Sequence, residues 1–241
     1  MHTAIVILAA GKGTRMKSEM PKVLHEVAGA PLLMHCIKTA QTIEPEHLII
    51  VAGHGSEDVA KTAKTYAPVS QIVTQSAQLG TAHAVAQSRK ILSSFEGDLI
   101  ILYGDTPFIR PETLEKLAQA RHKSDLVILG FEANDPGHYG RLITSGTDLL
   151  EIVEYKEANA AQKDITLCNS GVLAGPAQLI FQLIEQVETC NNAGELYLTD
   201  CIALARAAGK SAGVVTCPEA ETLGVNSRRD LAQAEQVFQS N

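Results

Sequence analysis

The sequence predicts one α/β domain with a mostly parallel central sheet, helices on both faces of the sheet, and a smaller mixed or antiparallel extension. Residues 4–8 (AIVIL) form a continuous apolar run, which is typical of a parallel strand buried on both faces. Strand and helix patterns alternate through the first half of the chain. In the second half, Ser145-Gly146 separates two short apolar segments, as in a β-hairpin. These observations indicate a Rossmann-like domain whose extension surrounds a ligand pocket.

The first half is predicted to consist of repeated strand–helix units. Pro31 begins a helical pattern, because proline is favoured in the first turn of a helix and the following apolar residues recur on one face. The predicted strands are 4–8, 48–51, 71–74 and 99–103, and the predicted helices are 31–40, a helix starting at Ser56, 81–92 and 111–122.

The second half is predicted to add shorter strands and three helices. The strands are 126–131, the hairpin arms 141–144 and 149–154, then 168–174 and 212–216; the helices are 177–187, 199–208 and 227–238. Proline, glycine and serine do not accumulate in any linker, so we expect residues 1–241 to form a single domain. In open α/β sheets, ligands bind at the carboxyl ends of the strands, so functional residues are expected there.

Composition narrows the class of protein. The chain has 241 residues, a formal net charge of −7 and 45% hydrophobic residues, which suffice for a sizeable core. Its apolar runs are too short for a membrane span and lack the pattern of a signal peptide, so we expect a cytoplasmic protein. The five cysteines form no CxxC pair, which favours reduced thiols over disulfides or zinc: Cys36, Cys168, Cys190, Cys201 and Cys217.

The segment LAAGKGTRM, residues 8–16, joins the first strand to a loop rich in glycine and positive charge. Its two glycines allow backbone N–H groups to point into a concave loop. Four cations and one glutamate lie between Lys12 and Lys22, in a chain that is otherwise acidic. This contrast predicts a small phosphorylated ligand rather than nucleic acid or a membrane. The loop lacks a Walker motif and the third glycine of GxGxxG, so a plain strand–helix connection is the alternative.

Polar residues follow two other predicted strands. Asp105 comes just after the strand ending at 103, where its carboxylate could bind Mg²⁺ that bridges nucleotide phosphates; a tight turn is the alternative. Gln75 ends another strand, close to Gly80 and Thr81, where an amide and a backbone N–H could recognise the edge of a base. Thr81 is also a candidate helix N-cap.

Four further candidate motifs or residues lie in the second half of the chain. Tyr139-Gly140-Arg141 precedes the hairpin, Glu154 ends its second arm, and Asn169-Ser170-Gly171 interrupts a strand. Gly224-Val225-Asn226 precedes the last helix, for which Ser227 or Asn226 is the expected cap. Each motif on its own is more typical of a turn or a solvated surface than of a binding site.

Taken together, the motifs LAAGKGTRM, PKVL, GHG, QLGTAHA, YGDTP, YGRL, IVEYKEA, NSG, GELYLTD and GVNSR resemble, in order and spacing, the N-terminal uridyltransferase domain of the bacterial bifunctional enzyme that makes UDP-N-acetylglucosamine. The resemblance covers nearly the whole chain, and the acetyltransferase β-helix domain of that family is absent from this sequence. The departures from the family pattern are mild, and none falls on the proposed metal or phosphate residues: Tyr155 for the usual histidine, Lys156-Glu157-Ala158 for KDA, Asn169-Ser170-Gly171 for NTG, and Leu142 for isoleucine.

The resemblance implies a role for each matched residue. Nucleotide binding is implied for Leu8, Ala9, Ala10, Gly11, Lys12, Gly13, Gln75, Gly80 and Thr81, and sugar or ribose contact for Tyr103, Gly140, Glu154 and Asn169. Arg15 and Lys22 would neutralise the transferring phosphate, while Asp105 and Asn226 would hold Mg²⁺. The implied substrates are UTP and N-acetylglucosamine-1-phosphate, with no nucleic acid or membrane as a partner; the resemblance does not predict the oligomeric state.

Two other functions stay open at this level. The chain could transfer a nucleotide to a different phosphorylated acceptor, such as a hexose-1-phosphate, a muramic acid derivative or, with CTP, methylerythritol phosphate. It could instead be a nucleotide-sugar binding module without catalysis. Arg15, Lys22, Asp105 and Asn226 argue against the second alternative, because a pure binder has no need for this set of cations and metal ligands.

Overall fold

A computed structural model describes residues 2–189 and 194–239, and its central element is a nine-stranded sheet in the order β5-β4-β1-β6-β10-β7-β11-β9-β8. The strands of this sheet are β1 Thr3–Ala9, β4 His47–Ala52, β5 Gln71–Thr74, β6 Asp98–Tyr103, β7 Leu126–Glu132, β8 Arg141–Ser145, β9 Asp148–Val153, β10 Leu167–Pro176 and β11 Ala212–Thr216. A separate two-stranded hairpin consists of β2 Glu26–Val27 and β3 Ala30–Pro31.

The pairing confirms a mostly parallel sheet with an antiparallel extension. Strands β5, β4, β1 and β6 pair in parallel, as do β7 and β11. Between these groups β10 runs antiparallel to both β6 and β7, and β8 and β9 form the predicted antiparallel hairpin. The sheet register shifts between Asn169 and Leu173, so the Asn169-Ser170-Gly171 motif is a bulge within β10.

Helices cover both faces of the sheet. They are α1 Leu32–Gln41, α2 Ser56–Tyr66, α3 Thr81–Ala86, α4 Pro111–Ala120, α5 Ala160–Lys163, α6 Ala177–Ile184, α7 Asp200–Ala207 and α8 Arg228–Gln239, with short 3₁₀ turns at Thr14–Met16, Lys22–Leu24 and Glu219–Thr222. All seven residues of β1 are buried because alternate side chains enter different cores. Val6 packs with α3, α6 and α7, whereas Ile7 packs with α1, α2 and α4.

Two helices, α3 and α6, end three or more residues before their predicted C-terminal boundary, and α4 and α7 are each two residues shorter than predicted. The helix predicted over 81–92 ends at Ala86, where the chain continues in i→i+3 turns and the Ser88 hydroxyl donates to the Val85 carbonyl. Such local side-chain bonds compete with helix continuation. The helix predicted to reach Val187 ends at Ile184, again with three-residue turns.

Several features were not predicted. The β2–β3 hairpin follows the phosphate-loop candidate, and α5 is a single turn fixed by a capping box between Asn159 and Gln162.

The cysteines in the described part of the chain are free thiols, as expected: Cys36, Cys168, Cys201 and Cys217. Cys190 lies outside the described residues. Within the part of the chain that the structure describes, no helix combines the length and apolarity needed to cross a membrane.

Candidate functional site

The carboxyl ends of the parallel strands border a cavity of about 370 Å³. Leu8 lies beside Tyr103 in the sheet, and Ala52 lies between Ala9 and Thr74, so β1, β4, β5 and β6 all end at this edge. The cavity is lined by residues from these strand ends and from the loops that follow them: Leu8, Ala9, Ala10, Gly11, Lys22, Val23, Gln75, Gln78, Gly80, Thr81, Ala84, Tyr103, Asp105, Glu195 and Asn226.

The loop after β1 is held by close glycine contacts. Gly13 has a φ of 61°, and a Cβ placed there would lie 2.7 Å from the Lys22 Cβ. Across the loop, a Cβ on Gly53 would lie 2.6 Å from the Ala10 carbonyl oxygen. Gly11 differs, because among the described residues no atom other than those of Gly11 and its two chain neighbours lies within 4 Å of its Cβ position. The free space beside Gly11 allows a ligand to approach the backbone closely.

Four charged or polar side chains converge at one end of the cavity. The Lys22 ammonium donates to Asp105 Oδ2 and, at 2.9 Å, to Asn226 Oδ1. The Arg15 guanidinium donates to the same Asn226 oxygen at 3.0 Å. The side chains of Lys22 and Asp105 are each only 14% exposed, so water screens this pair poorly. The structure thus brings together the four residues predicted for phosphate and metal binding.

Backbone contacts fix Asn226 beside Asp105. The Val225 N–H donates to the Asp105 carbonyl at 2.9 Å. Asp230 Oδ2 accepts from the N–H groups of Asn226 and Ser227, while Ser227 Oγ accepts from the Asp230 N–H. Ser227 therefore caps α8, as one of the two predicted alternatives, and the cap orients the preceding residue.

The Gln75–Thr81 loop forms a second wall of the cavity. Gln75 is buried, and its Nε2 donates to the Gly80 carbonyl at 3.1 Å. Gly80 has a φ of 114° and lies so close to the Leu196 backbone that a Cβ would be 2.5 Å from its carbonyl oxygen. Thr81 is not the N-cap of α3, because Gly80 occupies that position; the Thr81 hydroxyl instead accepts from the Leu198 N–H at 2.9 Å.

The residues implied in sugar contact lie together near the hairpin. The Asn169 N–H donates to the Gly140 carbonyl at 2.8 Å, and a Cβ on Gly140 would lie 3.6 Å from the Glu154 carboxylate. Burial raises the pKa of Glu154, and the charges of Glu157 and Asp200 raise it further, although a bond from Thr199 opposes them. The ring of Tyr103 packs over Gly171, and burial raises the pKa of its hydroxyl, which stays neutral.

Several predicted residues lie outside the cavity lining: Lys12, Gly13, Arg15, Gly140, Glu154 and Asn169. Arg15 lines a neighbouring cavity that Asn226 also borders, and Glu154 lines a third. Lys12 is exposed and lies outside the cavity lining, so the loop charge nearest the cavity comes from Lys22 instead. Gln78 was not predicted, although its Nε2 donates to the Ala10 carbonyl at 2.6 Å and its side chain lines the cavity. Its position in the same loop as Gln75 was the available signal, since a second amide there could also recognise a polar ligand.

Comparison with known proteins shows the family to which the chain belongs. The profile of the family described as "MobA-like NTP transferase domain" matches residues 5–167. The chain is 55% identical over 236 residues to the bifunctional protein GlmU of Cereibacter sphaeroides, covering 98% of this chain and 52% of that protein. It is also 55% identical over 241 residues to the GlmU of a Ruegeria species, covering 100% of this chain and 54% of that protein. The chain thus spans about half the length of these relatives and matches their N-terminal half.

Solved structures show the same fold at low identity. The inositol-1-phosphate CTP transferase from T. maritima superposes with a TM-score of 0.78 at 18% identity, covering 99% of this chain and 95% of that one. A UDP-glucose pyrophosphorylase complexed with UDP-glucose superposes with a TM-score of 0.75 at 17% identity, covering 100% and 99%. At these identities the likeness establishes the α/β architecture alone.

Proposed function

We propose that this chain, which belongs to the MobA-like NTP transferase domain family, transfers a uridylyl group from UTP to N-acetylglucosamine-1-phosphate. The products would be UDP-N-acetylglucosamine, a precursor for cell-wall synthesis, and pyrophosphate. The observation that carries the proposal is the convergence of Arg15, Lys22, Asp105 and Asn226 at one end of the strand-end cavity. The motif resemblance and the 55% identity to two GlmU proteins support the choice of substrates.

The chemistry needs no covalent enzyme intermediate. The acceptor phosphate is already an anionic nucleophile at neutral pH, and its oxygen attacks the α-phosphorus of UTP as the bond to pyrophosphate breaks. The protein must therefore bring two polyanions together and stabilise the charge that grows on the leaving group. Lys22 lines the cavity, and Arg15 donates to the same Asn226 oxygen as Lys22, which supports assigning this role to these two cations.

The donor set at this end of the cavity fits Mg²⁺. One carboxylate and one amide oxygen converge on the Lys22 ammonium, so a cation is already favoured between them. Both are hard oxygen ligands, and two of them leave most of an octahedral shell to phosphate and water. When bound, Mg²⁺ would neutralise phosphate charge and orient the triphosphate. Asp105 and Asn226 would hold the ion, which would free the Lys22 ammonium to contact phosphate.

We assign the other residues of the predicted set to the two substrates. Leu8, Ala9, Ala10, Gly11 and Gly13, with Gln75, Gly80 and Thr81, form the wall we assign to the nucleotide. Gly140, Glu154 and Asn169 lie together near the hairpin, where they would select the N-acetyl sugar, and Tyr103 lies between the two walls. Lys12 keeps a weaker assignment to the phosphates, because Arg15 and Lys22, rather than Lys12, donate to Asn226. A cytoplasmic location stays a prediction.

Pyrophosphate release tests the proposal. Purified protein would be assayed with UTP, TTP, CTP or GTP, with N-acetylglucosamine-1-phosphate or glucose-1-phosphate, and with EDTA or added Mg²⁺. We expect turnover with UTP and the N-acetyl sugar, little with glucose-1-phosphate, and none after chelation until Mg²⁺ is restored. Equal use of both sugar phosphates would contradict the acceptor. Affinity for UDP-N-acetylglucosamine without any turnover would instead indicate a binding module.

A further inference from the structure

Arg141 is the largest fully buried side chain of the described residues, with 1% of its surface exposed. Its guanidinium donates only to backbone carbonyls: those of Pro136, Gly137, Tyr139 and Lys163. Within residues 2–189 and 194–239, no carboxylate lies within ion-pair distance of it. The proposed mechanism does not use this cation, so its presence in the core needs an explanation.

Burial of a guanidinium group in a protein core is energetically unfavourable. Removal of an ion from water costs several kcal/mol, and an apolar side chain of similar volume is often no less stabilising. Here carbonyl dipoles and the face of Tyr155, whose ring centre lies 5.7 Å from the guanidinium carbon, replace the lost hydration. What an apolar side chain lacks is the rigid fork of donors. That fork ties the 136–139 loop to the C-terminal end of α5.

The position of Arg141 in the sheet relates it to the sugar residues. Arg141 in β8 is in register with Val153 of β9 and with Cys168 of β10. Gly140 precedes Arg141, Glu154 follows Val153, and Asn169 follows Cys168. Each of the three residues assigned to the sugar is therefore adjacent in sequence to one of the three paired residues Arg141, Val153 and Cys168.

We propose that Arg141 is a positioning residue that sets the shape of the sugar-phosphate pocket, an inference that rests on the proposed function. Its guanidinium does not touch the sugar, because it is buried beneath the 136–139 loop. Its hydrogen bonds to carbonyls of the 136–139 loop hold that loop in place. They thereby position the Gly140 carbonyl, which accepts a hydrogen bond from the Asn169 N–H at 2.8 Å. Loss of the fork would let Gly140 and Asn169 shift relative to Glu154, while the nucleotide wall stays in place.

Steady-state kinetics of Arg141→Lys test this role, because lysine keeps the charge but loses the fork. We expect the KM for N-acetylglucosamine-1-phosphate to rise about tenfold or more, as for a small misplacement of contacts, with the KM for UTP unchanged. The matched control is Arg121→Lys. Arg121 has a side chain 10% exposed and donates to the Ser124 carbonyl and to Asp98, far from the sugar residues. It should lose stability without a change in either KM.

Three results would overturn the proposal: an unchanged KM for the sugar phosphate, a parallel rise for UTP, or the same rise in Arg121→Lys. Amide exchange of the wild-type chain gives a second test that needs no variant to fold. The Asn169 and Tyr139 amides, which donate to the Gly140 and Pro136 carbonyls, should exchange slowly before any substrate is added. Protection that appears only with sugar phosphate would overturn the proposal. If the wild type uses another sugar phosphate, the proposed acceptor is wrong, and the Arg141 comparison is made with that sugar.

Discussion

The ammonium group of Lys22 donates a 2.9 Å hydrogen bond to the side-chain oxygen of Asn226, which lies 204 positions further along the chain. The same ammonium contacts Asp105, so Lys22 connects the segment after β6 with the segment before α8. Because both oxygens point at one position, this contact indicates where a metal ion would bind, and it makes the cluster the first target for mutation.

Asp105→Ala should abolish uridylyl transfer and leave the fold intact. The substitution removes the only carboxylate of the cluster, whereas the backbone carbonyl that holds Val225 remains. The measurement is pyrophosphate release together with circular dichroism. Asp98→Asn, at the opposite end of the same strand, is the matched control and should keep its activity. Near-normal transfer by Asp105→Ala would disprove the metal assignment.

Arg15→Ala should lower kcat by about 100- to 1,000-fold, the effect of removing one preorganised group at a developing charge. The side chain is exposed and hydrogen-bonded to Asn226, so thermal unfolding should change little. Lys17→Gln removes a neighbouring exposed charge from the same loop and serves as the control. If both variants lose the same amount of activity, the loop acts through its overall charge and Arg15 has no specific role.

Gly11→Ala should raise the KM for UTP by about tenfold or more without loss of stability. The added methyl group would displace the phosphates slightly from their contacts, and small misplacements of this kind are costly. Among the described residues, no atom other than those of residue 11 and its two chain neighbours lies within 4 Å of the added Cβ, so the methyl group meets only the space assigned to the nucleotide. The free energy of unfolding should stay the same or rise by up to about 1 kcal/mol, because alanine restricts the unfolded chain. A normal KM for UTP would show that the phosphates lie elsewhere.

Glu154→Gln should stabilise the protein at neutral and higher pH and weaken sugar binding. The folded-state pKa of Glu154 lies above its ordinary value of 4.5, chiefly through burial. For a carboxyl with a raised pKa, the stabilisation is present below the unfolded pKa and is lost as pH rises through the folded pKa. The gain in melting temperature should therefore appear at pH 8 and vanish near pH 4.

The control for this experiment is Glu151→Gln, because Glu151 is an exposed glutamate on β9, the strand that Glu154 directly follows. It should show no pH-dependent gain in stability and no change in the KM for the sugar phosphate. A gain for Glu154→Gln that is equal at both pH values would mean that ionisation of Glu154 contributes nothing to it.

Much of the fold follows from local patterns, and part of the site does not. The run at β1 and the strand-end position of Asp105 were recognisable because burial and topology leave a clear sequence signature. The lengths of α3 and α6 were overestimated, since apolar spacing does not report where turns replace helical bonds. Arg141 gave no signal, because an arginine in a sequence is normally expected at the surface.

The residues assigned to the sugar come together only through pairing between strands that are distant in the sequence. Gly140, Glu154 and Asn169 lie on or next to three different strands, and only the register of β8, β9 and β10 brings them together. Local patterns around each residue indicate a turn or a solvated surface. Their common site could be inferred only from the family resemblance, and their roles stay predictions.

The antiparallel strand β10 has a consequence for the synthesis of the chain. It lies between β6 and β7, which pair with it rather than with each other. Until residues 167–176 have emerged from the ribosome, the edges of the apolar strands β6 and β7 that later pair with β10 are left unpaired. Such edges promote association between chains. Interruption of translation before this strand should therefore give aggregating products, whereas interruption after it should leave the sheet joined.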